Sequence, residues 1–426
     1  RTAENMEKIT DMPAAALAEY AFDCACGRQH HTKARVLYGP YAEIFKKLLP
    51  VLAPSSKAAL ISSRDAFLAD GGNWMNAIRG GGARPLNVVV TKRFDNALEN
   101  IGGLFSLPDD VRAVIVCESE LYDVASYFAA LKNLPIIYLA VSPEAENMLS
   151  PVVSLKIKKR TERIFADNAR FVAIDTDILS RSKAGASAFA SLASGIVSLV
   201  DYRVRGAFTG EYCSESYNLA RAAISEAVNA AFAENAQQKL LEARIRLAVA
   251  EVYTEGRILS GGEYAVAELL EPAGRRRLVA AERKFVAALK LIELYGAFFA
   301  HPRACGLRVP DYAARAKEAA EFTGRSETEI LGGILKSAAA VNGEKTENAA
   351  RQMSEELAAL ERLTGKFAAT YRALGGDADI FDNYTPGELR RAVFCAPDLP
   401  DTFSVLTLMR ESGALELLRT SEDNFS

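Results

Sequence analysis

The chain has 426 residues, half of them hydrophobic and a quarter charged, with a formal net charge of −3 at neutral pH. That is the make-up of a globular protein with enough apolar residues for a sizeable core, and the length suggests two or three domains. There is no overall basic field to attract nucleic acid, and no run approaches the roughly 18 apolar residues that span a bilayer.

The opening "RTAENMEKITD" lacks the apolar run of a secretory signal. Its start at Arg1 without an initiator methionine suggests processing or trimming of a longer chain. Next comes "CACGRQHH" (24–31), which holds two of the six cysteines and two of the three histidines. Soft ligands this close together raise the question of a metal. Cys24 and Cys26 are one residue apart, however, whereas a usual zinc arm has two to four residues between its cysteines. No second pair lies nearby, so the stretch reads as a structural leader into the first strand. The six cysteines show no paired framework, which fits a reducing compartment, and a cytoplasmic protein is expected.

From about residue 35 to 180 strands alternate with helices. "ARVLYG", "KAALISS", "LNVVV", "RAVIVC", "PIIYLAV" and "ARFVAID" are short apolar runs rich in β-branched residues, and amphipathic segments such as "YAEIFKKLLPVL" and "YDVASYFAALKN" lie between them. Near-continuous apolar strands with helical crossovers predict a Rossmann-like parallel sheet covered on both faces. Ligands of such sheets sit beyond the carboxyl ends of the strands. "IRGGGARP", with Gly80, Gly81 and Gly82, precedes a strand and reads as a flexible connection. The basic run "KIKKRTER" (156–163) reads as a solvated helix face.

Beyond about residue 185 helical spacing takes over. "AFASLASGIVSLV" (188–200) reads as a buried helix, short and serine-rich for a membrane span. "QQKLLEARIRLAVAEVYTEG", "RRRLVAAERKFVAALKLIELYG" and "NAARQMSEELAALERLTGKFAATYRAL" read as long amphipathic helices, with Gly256, Gly296 and Gly375 as stops. The expected architecture is an α/β domain over 1–180 followed by an all-α domain over 181–426.

Six local strings narrow the fold. "FDCACGRQH", "NLPIIYLAVSPEAENMLSP", "RFVAIDTDIL", "LVDYRVRGAFTGEYC", "GRILSGGEYAVAELLE" and "YTPGELRRAVFCAPDLPDTFSVLTLMRESGAL" occur in that order over nearly the whole chain. Together they resemble the sn-glycerol-1-phosphate dehydrogenase branch of the iron-containing alcohol dehydrogenase and dehydroquinate synthase superfamily. The resemblance implies a dehydroquinate synthase-like fold. It also implies reduction of dihydroxyacetone phosphate with NAD(P)H in a cleft between the domains, and a divalent metal, usually zinc, held by an Asp and two His. A dinucleotide needs a glycine-rich turn at a helix N-terminus so that backbone N–H groups can approach its pyrophosphate.

Matched position by position, this chain departs from those needs. The family's glycine loop falls on "CESELYD", with Glu118 and Glu120 around a retained Ser119. Two carboxylates there repel a pyrophosphate and their side chains block the backbone. Asp and Glu are also the residues favoured at an ordinary helix N-terminus. In the next loop Pro143, Ser150 and Pro151 are kept, while Val141, Glu146 and Asn147 replace the family's residues; Glu118, Ser119, Glu120 and Ser142 are the loop positions the resemblance assigns to the cofactor. Glu146 reads either as part of a polar pocket, with Asn147, or as a helix-entry carboxylate. The metal ligands fall on Ser191, Tyr264 and Ala280, and the family's lysine falls on Gly195. Hydroxyl and phenol groups are poor zinc ligands beside imidazole and carboxylate. Ser260, Gly261 and Glu263 are retained, with Arg257 upstream, and Arg257 and Glu263 are assigned to the substrate cleft.

Other catalysis finds little support. His301, in "FFAHPRACG", reads as a helix-terminal residue, and Cys305 and Cys395 as buried thiols. Asp175 and Asp177 read either as a cation site or as an ordinary strand exit. The expectation is a divergent relative of the dehydrogenase that has lost zinc and dinucleotide and acts on a different ligand or a protein partner. Its old cleft would be lined by Glu118, Glu120, Glu146, Ser191, Arg257 and Tyr264. The alternatives are an active metal-dependent oxidoreductase using NAD(P)H, or a metal-free enzyme on a phosphorylated or polyol substrate. No membrane or nucleic-acid partner is expected, and a homodimer is the family's precedent.

Overall fold

The computed structural model describes residues 8–90, 101–146, 148–157, 160–166, 168–300, 311–341, 343–399 and 403–416. Asn147, His301 and Cys305 lie outside the described residues. The chain forms two compact units, Arg1–Ala188 with Phe232–Gly256, and Phe189–Ala231 with Arg257–Ser426. The units are interleaved in sequence, where composition alone suggests one boundary near residue 180.

The first unit opens with a short hairpin of β1 (Phe22–Asp23) and β2 (Gln29–His30), in which Phe22 pairs with His30. Six strands follow in one sheet: β3 (Arg35–Tyr38), β4 (Lys57–Ser63), β5 (Arg84–Val90), β6 (Val111–Val116), β7 (Ile136–Leu139) and, after a second hairpin, β10 (Phe171–Ile174). Their order is β3-β10-β7-β6-β4-β5, and every neighbouring pair is parallel. All residues of β7 and β10 are buried, as expected of inner strands in a parallel sheet covered on both faces. Helix Tyr41–Leu52 shows how the cover is made. It buries Tyr41, Ile44, Phe45, Leu48 and Leu49, one stripe at helical spacing. That stripe meets Leu60, Ile115, Ile137 and Ala173 of the sheet and Trp74 of helix Gly72–Gly80 in one core.

Two expectations are corrected in this unit. "IRGGGARP" is a helix end and a tight turn. Gly81 closes helix Gly72–Gly80, and a Cβ there would lie 2.7 Å from the Phe45 carbonyl oxygen. Gly82 then takes φ +84, a left-handed turn into β5 that side chains resist. The basic run 156–163 is not a helix face. It falls on an antiparallel hairpin, β8 (Val152–Ile157) and β9 (Arg160–Phe165). Val152, Val153 and Leu155 are buried, and this β-branched stretch sets the local structure against the charges beyond it. Helix Ala236–Tyr253 completes the unit, packing on helix Ala14–Glu19 and on the short helix Thr176–Ser180. It is buried on most of its circumference, from Leu240 and Leu241 to Val249 and Tyr253.

The second unit is helical. Helix Gly185–Thr209 enters it, with Phe189, Leu192, Ile196, Val197 and Val200 wholly buried. Alone among the described residues, this helix is long and apolar enough to cross a membrane, and 89% of its most apolar window is buried within the protein. Serine and glycine do not interrupt it, so it runs further than its apolar string suggests. Gly296 does not stop its helix, which continues from Ala280 to Ala300. A Cβ at Gly296 would lie 2.2 Å from Oε1 of Glu361, so glycine serves close packing there. The run 348–374 is two helices, Gly343–Thr364 and Phe367–Ala373, with Gly365 between them. Phe189 packs edge to face on Phe285 and on Phe367, at centroid distances of 5.9 and 5.7 Å, and Tyr371 joins them through Phe285.

Candidate functional site

In the sheet, β4 lies between β5 and β6, and the strand order reverses between β4 and β6. Open α/β sheets bind ligands outside the carboxyl ends of their strands at such a switch point. Ser63 ends β4, and Glu118 stands two residues beyond the end of β6, just ahead of helix Ser119–Lys132. The Ser63 backbone N–H donates to Oε2 of Glu118 at 2.6 Å, so a carboxylate ties the two strand ends together where the order reverses. Ser119 begins the helix and Glu120 follows it. Glu118 precedes that helix in extended conformation but does not cap it with its side chain. The adjoining Cys117 thiol is buried, which pushes its pKa well up, and Glu118 adds to the shift.

The second candidate loop is partly structural. The Ser142 hydroxyl accepts from the Glu144 N–H at 3.3 Å, and Glu146 is half-buried. Ser150 is buried and donates to Oε1 of Glu251 at 2.8 Å, so this retained serine holds helix Ala236–Tyr253 within its own unit. Asp175 resolves its two readings: its carboxylate accepts from the N–H groups of Asp177 and Ile178, at 3.1 and 3.4 Å. It caps helix Thr176–Ser180, an ordinary strand exit.

In the helical unit, Ser191 is buried on helix Gly185–Thr209, and its carbonyl accepts from the Ser194 hydroxyl at 2.8 Å. Arg257 pairs with Glu211 at 3.3 Å, and its carbonyl accepts from Ser260 at 2.8 Å. Tyr264 is 39% exposed, and its ring centroid lies 4.8 Å from the Lys284 ammonium. Ala280, exposed, begins helix Ala280–Ala300.

Glu263 is wholly buried and bonded to the Ser198 hydroxyl. Burial raises its pKa to about 8, despite the Ser198 hydrogen bond that opposes the shift. One turn further along the Ser198 helix, Asp201 is also wholly buried. It accepts from the N–H groups of Gly262 and Val405 at 2.7 Å each and from the Tyr295 hydroxyl at 3.2 Å. Burial lifts Asp201 to about 6, with those hydrogen bonds pulling the other way. These carboxyls link four segments of the unit, and the sequence singled out only Glu263. Asp201 sits in "LVDY", a string the family resemblance already contains, but nothing local marks it as a three-donor acceptor.

Comparison with solved structures fixes the fold. Sulfoacetaldehyde reductase from Bifidobacterium kashiwanohense, in complex with NAD+, aligns over 92% of this chain and 99% of its own at TM-score 0.58 and 13% identity. The iron-containing alcohol dehydrogenase from Thermococcus thioreducens aligns over 85% and 98% at TM-score 0.51 and 13% identity. Glycerol dehydrogenase from Schizosaccharomyces pombe aligns over 78% and 90% at TM-score 0.51 and 16% identity. The chain has the iron-containing alcohol dehydrogenase fold. No protein-family model and no curated protein matches the sequence.

The residues present do not fit the zinc ion that the family resemblance implies. At the three matched positions stand a serine hydroxyl, a phenol whose ring faces a lysine ammonium, and an exposed methyl group. At the switch point the Glu118 side chain stands where the family resemblance places a glycine, and it holds the Ser63 amide.

Proposed function

We propose that this chain is a non-catalytic relative of the sn-glycerol-1-phosphate dehydrogenases, one that has given up zinc and dinucleotide and binds another small ligand or a protein partner. The observation that carries this reading is the Glu118–Ser63 hydrogen bond at the switch point. A carboxylate there repels a pyrophosphate, and replacing glycine by a longer side chain narrows the approach. The substitutions at Ser191, Tyr264 and Ala280 support it independently, because they remove the donors a Lewis-acid metal needs.

The test is thermal denaturation of the purified chain with NADH, NADPH, zinc and glycerol phosphates. A ligand at 100 times its Kd stabilises the folded state by about 2.7 kcal/mol. No shift is expected with either dinucleotide, and no NAD(P)H oxidation with dihydroxyacetone phosphate. Stabilisation by NADH together with chelator-sensitive oxidation would establish the active oxidoreductase instead, a reading favoured by the NAD+ complex of the sulfoacetaldehyde reductase.

A further inference from the structure

The β1–β2 hairpin brings together what the sequence spaces awkwardly. Phe22 and His30 face each other across the ladder and both are buried. Cys24, two residues beyond Phe22, continues the same strand face. Between the strands the chain turns back at once: the Gly27 N–H donates to the Cys24 carbonyl, and the Cys24 N–H to the Arg28 carbonyl, both at 2.9 Å. Gly27 takes φ +82 in that turn. The turn carries Cys26 over to the second strand, where its Sγ lies 3.3 Å from Nε2 of His30.

As a result the Sγ atoms of Cys24 and Cys26 and a ring nitrogen of His30 all lie within 4.8 Å of one another. Zinc–sulfur bonds of about 2.3 Å and zinc–nitrogen bonds of about 2.0–2.1 Å place neighbouring tetrahedral ligands roughly 3.5–3.8 Å apart. The cluster has that scale. The one-residue spacing that argued against a zinc arm is offset by the tight turn, with the third donor supplied from across the hairpin.

The histidine is also held as a ligand would be. Tyr253 stacks on its ring at 4.7 Å with an interplanar angle of 22°, and Phe22 meets it edge-on at 5.4 Å. These contacts fix the plane of the imidazole. Both cysteines are half-buried, reachable from solvent yet partly shielded, and among the described residues no cysteine is in a disulfide.

We propose that Cys24, Cys26 and His30 bind a thiophilic divalent cation of the zinc type, the hairpin supplying three of the four donors a tetrahedral ion takes. The site closes the leader hairpin on itself and holds His30 in place against Phe22 and Tyr253. Binding forms two metal–thiolate bonds and one metal–imidazole bond and releases the two thiol protons to solvent, with no change of oxidation state. None of the three is a residue at which the family resemblance places a metal.

The experiment is titration of the reduced, metal-stripped full chain with Co2+, followed by displacement with Zn2+. The expected result is one Co2+ per chain, with a thiolate-to-cobalt charge-transfer band and the intense visible bands of tetrahedral cobalt. Zn2+ should abolish both. The charge-transfer band should vanish in Cys24→Ser/Cys26→Ser, and His30→Asn should weaken binding at least tenfold. Circular dichroism checks that each variant is folded, and the wild-type spectrum does not depend on any variant. Absence of the charge-transfer band in the wild type would overturn the proposal. So would a band that survives in the double cysteine variant. Cobalt bound without thiolate character would also overturn it, and would point to the family's metal position and the active-enzyme reading.

Discussion

Tyr295 donates its phenolic hydroxyl to Asp201, 3.2 Å away, and neither residue is exposed to solvent. With Glu263 bonded to Ser198, the helical unit contains two carboxyl groups whose folded-state pKa values lie above their ordinary ones, at about 6 and about 8. A raised carboxyl pKa means that the unfolded chain releases its proton first. The stability this contributes is fully present below about 4 and is lost as pH rises through 6 and then 8, by up to about 1.4 kcal/mol per pH unit for each group. Glu263→Gln keeps the shape and removes the ionisation. Urea denaturation between pH 5 and 9 should show a flatter decline for that variant, and greater stability than wild type at pH 8. An unchanged slope would mean that Glu263 does not titrate in this window.

Arg315 lies between Asp398 and Glu411, 2.7 Å from the latter, and Asp398 also meets Arg410 at 3.6 Å. All four side chains are almost wholly buried. Removing one partner from such a group leaves charge without compensation, typically at a cost of 3–5 kcal/mol. Arg315→Met should therefore destabilise the helical unit by that order. Replacing Arg315 and Glu411 together by apolar residues should cost less than the sum of the single changes, as a double-mutant cycle would show.

Ser150 gives a prediction for the α/β unit. Its hydroxyl satisfies Glu251 inside the core. Ser150→Ala creates almost no cavity but leaves a buried carboxyl oxygen short of a donor, at about 1–3 kcal/mol. Ser150→Thr, which keeps the hydroxyl, should recover part of that loss. Equal stability of Ala and Thr variants in urea would show that the hydrogen bond contributes nothing.

Glu118 can be separated into charge and acceptor. Glu118→Gln keeps an oxygen for the Ser63 N–H and should leave stability within about 0.5 kcal/mol of wild type. Glu118→Ala leaves that amide without its acceptor and should cost roughly 1 kcal/mol or more. Denaturant midpoints of the two variants decide the point, and an equal loss in both would make charge the relevant property.

The sheet was legible because its strands carry their own signature. "KAALISS" is β4 residue for residue, and the stripe of "YAEIFKKLLPVL" is the buried face of its helix. The second hairpin was hidden because Lys156 and Arg160 dominate its composition, while pairing depends on the apolar residues beside them. The buried carboxyl network was illegible for a different reason. Asp201 is anchored by Val405, which lies 204 residues away, and no local pattern encodes a partner at that distance. The leader hairpin lies in between: its ligand types were plain in "CACGRQHH", but whether they converge depends on a turn that only the backbone reveals.

The interleaving of the two units has a consequence for synthesis. When β10 has left the ribosome, the sheet has all its strands, yet the helix that packs on Ala14–Glu19 and stacks Tyr253 on His30 is still some 60 residues from being made. In the interval the nascent α/β unit presents an apolar flank that has no cover of its own. Segments left waiting in this way are prone to association before their domain is finished. A fragment ending at Ala188 should therefore be aggregation-prone, and the sheet and its late helix should mature as one cooperative unit only after residue 256 is available.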